Sequence, residues 1–262
     1  MNLKPFLGFT TDIAYRAGRI TLGYFNAGVR PDYKADDTPV TAADRAAETF
    51  IRGEIEKNYP DYAILGEEFG ETPSPVGRGA EGEGFRWIID PIDGTKSFIR
   101  GVPLYAVLIG LEIEGIIRVG AAYFPGTDEM LCAAEGEGAW WNGRRAHVSS
   151  ESSMARAWVC YTNARSMEKY GRAEAWERIN AAAYVSRGWS DAYGYLAVAT
   201  GRAEVMLDPI MNVWDCGPFP VIFKEAGGYF GSWDGRAGHL HTEALACNSV
   251  LLPEMLRLIK GN

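Results

Sequence analysis

The sequence predicts an α/β (α+β) protein whose helices and sheets stack as α-β-α-β-α layers. Two helical patterns come first, hairpin-linked β patterns occupy the middle of the chain, and strands alternate with helices after residue 148. The change of pattern near 148–151 divides the chain into an N-terminal α+β half, residues 1–147, and a C-terminal α/β half, residues 148–262.

The first elements follow from spacing and caps. Apolar residues at helical spacing predict a helix over 6–26, and Thr41 is placed to cap a second helix over 42–58. A short strand is predicted over 63–66. The stretch 72–84 is rich in Gly, Pro and Glu, so it indicates a mobile surface loop.

The remaining elements alternate in type. A buried strand begins at Trp87, and Pro91 should end it because proline has no N–H to donate. Further strands are predicted over 105–113, 116–124, 129–134 and 138–141. The C-terminal half then gives strands at 157–161, 204–207, 229–232 and 244–247, and helices at 166–183, 191–200, 215–226 and 253–260.

Composition indicates an ordinary soluble globular protein. Of 262 residues, 47% are hydrophobic and 23% charged, and the formal net charge is −8. We therefore expect no nucleic-acid partner held by a general basic surface. The most apolar run, 103–111, is too short to span a membrane. Four scattered cysteines form no CxxC pair, and the N-terminus has no secretory pattern, so we expect a cytoplasmic protein.

The stretch 87–98 has the strongest chemical signal. Asp90 follows three apolar residues and Asp93 comes three positions later, so both carboxylates can face one point. A helix that begins at Gly94-Thr95 directs free backbone N–H groups to the same point. Carboxylates repel phosphate unless a divalent cation lies between them. The pattern therefore points to Mg²⁺ that bridges these carboxylates and a substrate phosphate.

A strand, a proline turn and an N-cap aspartate explain a bare DxxD pattern more simply. The whole string Asp-Pro-Ile-Asp-Gly-Thr at 90–95 is more specific, and it resembles the signature of the inositol monophosphatase family of metal-dependent, lithium-sensitive phosphatases. Three more stretches match the family's pattern in order: 34–44, 66–68 and 214–228. The resemblance implies the layered fold named above.

The resemblance also implies the site. Two to three Mg²⁺ ions would be held by Glu67, Asp90, the backbone carbonyl of Ile92, Asp93 and Asp215. Thr95, hydrogen-bonded to Asp44, would orient the attacking water together with Glu67, and the N–H groups of Gly94 and Thr95 would hold the phosphate. Lys34 would lie in a loop over the metals. The implied reaction is direct in-line attack of water on a phosphate monoester, without a phosphoenzyme.

Simpler interpretations stay open for single residues. Asp215 could be a plain helix N-cap, Glu67 a surface carboxylate and Lys34 a solvated lysine. Thr95 alone would be an ordinary residue in the first turn of a helix.

Substrate choice is expected to depend on Asp191 and Asp208. Inositol-specific members have a small residue where this chain has Asp191, and a glutamate that binds ring hydroxyls where it has Asp208. Two carboxylates suit a cationic leaving group, and Asp-Pro before the Trp-Asp motif resembles the histidinol-phosphate phosphatases. L-Histidinol phosphate is therefore the expected substrate, with an inositol or sugar phosphate as the alternative and a catalytically inactive binding module ranked lower. Asp191 could equally be an N-cap. The family usually forms homodimers, so we expect one.

Overall fold

The structure, a computed structural model, describes residues 1–28, 30–34, 38–75 and 84–261. Most of the surface loop predicted over 72–84 lies outside these residues. The α-helices of the described part are α1 (Lys4–Tyr24), α2 (Ala42–Asn58), α3 (Thr95–Phe98), α4 (Ala164–Lys169), α5 (Ala173–Ala182), α6 (Ala192–Ala199), α7 (Val213–Cys216), α8 (Phe219–Ala226) and α9 (Leu252–Lys260).

The strands form a small hairpin and two sheets. They are β1 (Asp32–Tyr33), β2 (Pro39–Val40), β3 (Ala63–Gly66), β4 (Gly70–Thr72), β5 (Phe85–Asp93), β6 (Ala106–Ile113), β7 (Ile116–Phe124), β8 (Glu129–Ala134), β9 (Gly138–Trp141), β10 (Arg144–Arg145), β11 (Trp158–Tyr161), β12 (Val185–Arg187), β13 (Val205–Asp208), β14 (Gly228–Gly231) and β15 (Ala244–Asn248).

The large sheet has the strand order β10-β9-β8-β7-β6-β5-β3-β4, and the small sheet has the order β12-β11-β13-β15-β14. Neighbours in the large sheet are antiparallel except β3 and β5, which are parallel. In the small sheet, β11 is parallel to both β12 and β13. The predicted half boundary falls between β10 and β11, and the division into two domains stays a prediction.

Helices and sheets stack in five layers. Helices α1 and α2 pack on one face of the large sheet, where Ile13 and Trp87 share a buried core. Helices α6 and α8 lie between the sheets, with Phe223 in the central core. Helices α5 and α9 cover the outer face of the small sheet through Ile179 and Met255. This order confirms the predicted α-β-α-β-α class.

The second helix has both the bounds and the cap that the sequence predicts. Helix α2 has the predicted bounds, and the Thr41 side chain accepts a hydrogen bond from the Ala43 N–H at 3.1 Å. Asp44 Oδ2 accepts one from the Thr41 N–H at 2.8 Å. These reciprocal bonds form a capping box, which fixes Asp44 in the first turn of the helix.

Strand β5 continues beyond the predicted end. The prediction that Pro91 stops the strand is wrong, because β5 runs through it to Asp93. Between Asp90 and Asp93 the register against β6 shifts, so that three steps on β5 oppose two on β6. Proline is tolerated at such a bulge, where the ladder is already interrupted. In a regular strand, residues three apart face opposite sides of the sheet, so the bulge lets Asp90 and Asp93 join one cluster.

Two predicted helices and one edge strand differ from the sequence expectation. The helix predicted over 166–183 is divided into α4 and α5 at Gly171, whose φ is +70°. The helix predicted from Asp215 begins earlier, at Val213, and is interrupted before Phe219. Strand β12 was not predicted, because three residues after a helix give too short a pattern. No helix among the described residues combines the length and apolar character needed to cross a membrane.

Candidate active site

The candidate site lies where the carboxyl ends of two parallel strands meet. Glu67 directly follows β3, and Asp90 and Asp93 lie at the end of β5. Asp215 comes from α7 and reaches the same place from the C-terminal half of the chain. The structure thus brings together four carboxylates from three separate stretches of sequence.

Three of these carboxylates form a tight group. One oxygen each from Asp90, Asp93 and Asp215 lies within 4.8 Å of the other two, and in the described chain this is the group with the spacing of a metal site. Its donors are all carboxylate oxygens, with no sulfur or imidazole. Such donors suit a hard divalent cation such as Mg²⁺ and do not suit zinc in a structural site. The chemistry of the donor set therefore fits the predicted metal.

Loss of hydration raises the pKa of every carboxyl in the group. The pKa of Asp90 and that of Asp93 are raised well above their ordinary value, first by burial and then by Glu67 for Asp90 and by Asp191 for Asp93. Burial raises the pKa of Asp215 to about 7. Carboxyls in this state keep protons that a bound cation would displace, so cation binding and proton release are linked.

Asp215 combines a helix-capping contact with membership of the group. It is the third residue of α7, and its Oδ2 accepts the backbone N–H of Asn212 at 2.8 Å. The plain N-cap interpretation is therefore wrong, since Asn212 occupies that position. One oxygen of Asp215 anchors the helix start, and the other is available to the cluster.

Lys34 supplies a positive charge next to Glu67. Its Nζ lies 2.9 Å from Glu67 Oε1 and 2.9 Å from Glu68 Oε1. Burial lowers the pKa of the ammonium, but the hydrogen bonds to both carboxylates outweigh this effect and raise it overall. Burial likewise raises the pKa of Glu67, against the effect of Lys34. Lys34 is thus a partly buried ion-pair partner of Glu67 and Glu68 and not a freely solvated lysine; its place over the metals stays a prediction.

Thr95 and Asp44 approach each other as expected. Thr95 Oγ1 lies 3.4 Å from Asp44 Oδ1 and 3.0 Å from the carbonyl oxygen of Ile92. Asp44 Oδ2 accepts the Thr41 hydroxyl at 2.6 Å, so its other oxygen faces Thr95. Burial raises the pKa of Asp44. This chain of contacts links the threonine hydroxyl to a buried carboxyl that can accept a proton.

Gly94 marks the turn from β5 into α3. Its φ is +84°, a conformation that a residue with a Cβ rarely adopts. A Cβ at this position would also lie 3.0 Å from the Leu104 carbonyl oxygen and 3.2 Å from Asp191 Oδ2. The close approach of Asp191 therefore brings the predicted specificity residue next to the predicted phosphate-binding turn.

Asp191 adopts a strained backbone conformation immediately before α6. Its φ is +56° and its ψ is −152°, a region that is almost confined to glycine and costs about 1–3 kcal/mol elsewhere. Its side chain does not cap α6; the Ala192 N–H donates instead to Asp93 Oδ2 at 2.6 Å. Asp191 therefore has the N-cap position that the sequence suggested, but its side chain does not cap the helix. Its carboxyl is turned toward Ser190 and Ser97, with Lys96 nearby.

Asp208 supports Asp191 from the interior of the protein, and its relative exposure is 4%. Its Oδ2 accepts the Tyr195 hydroxyl at 2.7 Å, and its carboxyl also bonds Thr162. Thr162 Oγ1 in turn accepts the backbone N–H of Asp191 at 3.1 Å. A direct contact between Asp208 and the substrate stays a prediction; the geometry favours support of Asp191. Sequence reasoning missed Thr162, which lies in no motif, and did not single out Tyr195 in the stretch that follows Asp191.

This chain resembles known proteins over nearly its whole length. It matches the inositol monophosphatase family over residues 2–260. It is 42% identical to the histidinol-phosphatase of Chlorobaculum parvum, over 99% of this chain and 98% of that protein. It is 37% identical to the histidinol-phosphatase of Mycobacterium tuberculosis, over 93% and 94% of the two chains. The inositol monophosphatase structure from Anabaena shares the fold with a TM-score of 0.84 at 28% identity, over 100% and 97%.

The match over nearly the whole chain shows that this protein belongs to the inositol monophosphatase family. It is a metal-dependent phosphatase. The carboxylate group at the ends of β3 and β5 is the part of the described structure whose donors suit such a metal.

Proposed function

We propose that this phosphatase hydrolyses L-histidinol phosphate to L-histidinol and inorganic phosphate, a step of histidine biosynthesis, with Mg²⁺. The observation that carries the substrate assignment is the position of Asp191, whose Oδ2 lies beside Gly94 at the edge of the carboxylate group. Relatives named histidinol-phosphatase at 42% and 37% identity support the same assignment.

The proposed metal ligands are the carboxylate group of Asp90, Asp93 and Asp215 and two neighbouring residues. Glu67, Asp90, the carbonyl oxygen of Ile92, Asp93 and Asp215 would hold two to three Mg²⁺ ions, with Asp90 as the shared ligand. Bound Mg²⁺ supplies positive charge that offsets the phosphate and lowers the pKa of water. Thr95 Oγ1 lies 3.0 Å from the Ile92 carbonyl oxygen, so this hydroxyl is directly beside a proposed ligand.

The chain's own groups would orient and deprotonate the water. The Thr95 hydroxyl accepts a hydrogen bond from the attacking water and directs its own hydrogen toward Asp44 Oδ1. Asp44 is held for this task by the two bonds from Thr41. Backbone N–H groups of Gly94 and Thr95 bind phosphate oxygens. Water adds to phosphorus as the P–O bond to the ester oxygen breaks. One proton of the water passes through Thr95 to Asp44, and the leaving oxygen takes up a proton from solvent, so the products are an alcohol and phosphate.

The leaving group of histidinol phosphate carries an ammonium and an imidazole, which a carboxylate can bind. An ionised Asp191 would accept a charge-assisted hydrogen bond from the ammonium, a contact of about 1.5–3 kcal/mol. A hydroxyl of inositol offers a neutral donor at the same place and forms a weaker bond. The strained backbone of Asp191 fits a residue that is held for a functional contact.

The test is phosphate release from a substrate panel. Purified protein is assayed with L-histidinol phosphate, myo-inositol 1-phosphate and fructose 1,6-bisphosphate, with Mg²⁺ and after metal removal by a chelator. We expect Mg²⁺-dependent release that is fastest, as kcat/KM, with L-histidinol phosphate. Release that is fastest with another ester would contradict the substrate assignment, and no release with any ester would support an inactive binding module.

Inositol monophosphate hydrolysis is the second candidate. The Anabaena inositol monophosphatase has the same fold. The family resemblance also implies a hydroxyl-binding glutamate in inositol-specific members at the sequence position of Asp208. Asp191, which those members replace by a small residue, argues against this candidate. We also propose a cytoplasmic homodimer, as expected for the family. Light scattering of the purified protein measures this assembly, and a mass of 28.8 kDa would contradict it.

A further inference from the structure

The β3–β4 hairpin presents Glu67 to the candidate metal site. Gly66 pairs with Gly70, so Glu67, Glu68 and Phe69 form the three-residue loop between the strands. Glu67 is the first residue of this loop, and its N–H donates to the Ile89 carbonyl of β5 at 3.2 Å. The hydrogen bond ties the entrance of the loop to the strand that carries Asp90.

A buried ion pair on α2 holds the rest of the loop. Glu48 has a relative exposure of 0% and Arg52 of 8%, and Arg52 Nε lies 2.8 Å from Glu48 Oε1. Glu48 Oε2 accepts the Glu68 N–H at 2.8 Å, and Oε1 accepts the Phe69 N–H at 3.3 Å. The two N–H groups that directly follow Glu67 are thus both bound by one carboxylate.

The guanidinium binds the return strand of the same hairpin. Arg52 Nη1 donates to Thr72 Oγ1 at 2.9 Å, and Nη2 donates to the Gly70 carbonyl. The pair therefore contacts both the loop and the return strand β4. A planar guanidinium with several fixed donors can do this, whereas a lysine cannot.

Gly66 is required by the same contact. A Cβ at this position would lie 2.0 Å from Glu48 Oε1 and 2.8 Å from Arg52 Nη2. A side chain at residue 66 would therefore push the pair away from the loop. The glycine before Glu67 is explained by the close approach of the pair, because the conformation of β3 does not require it.

We propose that Glu48 and Arg52 are positioning residues that hold Glu67 in the geometry a metal ligand needs. The inference rests on the proposed role of Glu67 as a ligand. A buried ion pair often adds little stability compared with an apolar pair of similar volume. The pair also forms hydrogen bonds to the backbone of the loop and of Gly70. These bonds fix the loop and therefore the position of the Glu67 carboxylate.

The experiment compares Mg²⁺ affinity in the full-length protein. Isothermal titration measures the Mg²⁺ dissociation constant of the wild type, Glu67→Gln, Glu48→Gln and Arg52→Lys, and thermal unfolding is followed with and without Mg²⁺. A matched control is Glu112→Gln, which breaks the buried pair of Glu112 with Arg86 (3.0 Å) away from the site. Removal of a group that orients a ligand typically weakens affinity by about 10–100-fold.

We expect Glu67→Gln and Glu48→Gln each to weaken Mg²⁺ binding by about tenfold or more, and Arg52→Lys to weaken it in the same direction. Glu112→Gln should lower the unfolding temperature without changing the Mg²⁺ dissociation constant. If Glu48→Gln does not fold, Arg52→Lys, which keeps the charge pair but not the fork to the hairpin, decides the question.

The proposal is overturned if Glu67→Gln weakens Mg²⁺ binding but Glu48→Gln leaves the Mg²⁺ affinity unchanged. If Glu48→Gln fails to fold, unchanged affinity in Arg52→Lys overturns it in the same way. Unchanged affinity in Glu67→Gln overturns it as well, because Glu67 is then not a ligand. A wild type that fails to hydrolyse L-histidinol phosphate, while Glu67→Gln and Glu48→Gln still weaken Mg²⁺ binding, supports the positioning role and contradicts the substrate assignment alone.

Discussion

The two walls of the candidate site are built differently. On one wall, Asp90 and Asp93 come from a single strand and a bulge between them brings both carboxylates into one group with Asp215. On the other wall, Asp191 is held in a strained conformation by Thr162, and Thr162 is held by the buried Asp208. Asp90 and Asp93 of the first wall belong to one contiguous motif and Asp215 to a second recognisable one, whereas the contacts that hold Asp191 come from residues outside any motif. The metal chemistry is thus more directly encoded in the sequence than the choice of substrate.

The largest expected effect is on the first wall. Asp90→Asn should reduce turnover by roughly 10³-fold or more, because Asp90 is the proposed ligand shared by the principal metal ions. The measurement is kcat with L-histidinol phosphate at saturating Mg²⁺. The matched change Asp128→Asn, at an exposed turn far from β5 in the sequence, should leave kcat within about twofold. Near-native turnover of Asp90→Asn at millimolar Mg²⁺ would show that the metal assignment is wrong.

Thr95→Ala separates water positioning from metal binding. The Thr95 hydroxyl contacts Asp44 and the Ile92 carbonyl, so its loss should lower kcat by roughly 10²–10⁴-fold, typical of a positioned proton acceptor. The Mg²⁺ dissociation constant from titration should change little. Thr95→Ser, which keeps the hydroxyl, should recover most of the activity. Loss of Mg²⁺ affinity with kcat retained at saturating metal would reverse the role assigned here.

Asp191→Asn tests the second wall. If the carboxylate binds the ammonium of L-histidinol phosphate, kcat/KM for this ester should fall by roughly ten- to a hundredfold. The loss with glycerol 2-phosphate, which has no positive charge, should be several-fold smaller. Equal losses of kcat/KM with both esters would indicate that Asp191 has a structural role and does not bind the ammonium. Asn has nearly the size and shape of Asp, so the change removes the charge with little change in volume.

The smallest effect expected is a change in the pH dependence of stability. Burial raises the pKa of Asp208 to about 8 from its ordinary value of 3.8. Between about pH 4 and pH 8 the folded protein retains a proton that the unfolded chain releases, so Asp208 makes stability fall as pH rises through this window. Asp208→Asn has no such proton and can still accept the Tyr195 hydroxyl.

Thermal unfolding of the metal-free wild type and Asp208→Asn at pH 5, 6, 7 and 8 measures this difference. The unfolding temperature of the variant should fall less steeply with pH, by about a few degrees over the range. Parallel curves for the two proteins would mean that Asp208 ionises normally in the folded state.

Local patterns predicted the fold well where one element carries its own signals. The bounds of α2 and its Thr41 cap could be predicted, because the cap and the first turn are adjacent and the apolar face belongs to the same segment. The continuation of β5 through Pro91 could not be predicted from the sequence, because it depends on a register shift against β6. Helix breaks such as the one at Gly171 were missed for a similar reason, as a single glycine does not by itself end a helical pattern.

The candidate site shows the same division. Asp90, Asp93, Gly94 and Thr95 form one motif, so the sequence indicated them together. The sequence did not indicate the supporting residues. Thr162 forms a hydrogen bond with Asp191, which is 29 positions away, and Glu48 forms one with Glu68, which is 20 positions away. A buried glutamate on a helix and a threonine after a strand are common in any protein. Their roles emerge from the hydrogen bonds that only the folded chain creates.

The most direct test of substrate choice is a competition between two esters. The wild-type protein receives an equimolar mixture of L-histidinol phosphate and myo-inositol 1-phosphate with Mg²⁺, and ³¹P NMR follows the loss of both substrates in one tube. The ratio of their initial rates gives the ratio of the kcat/KM values at any shared concentration. A preference of about tenfold or more for L-histidinol phosphate is expected from one charge-assisted contact. Equal rates, or faster loss of the inositol ester, would contradict the account.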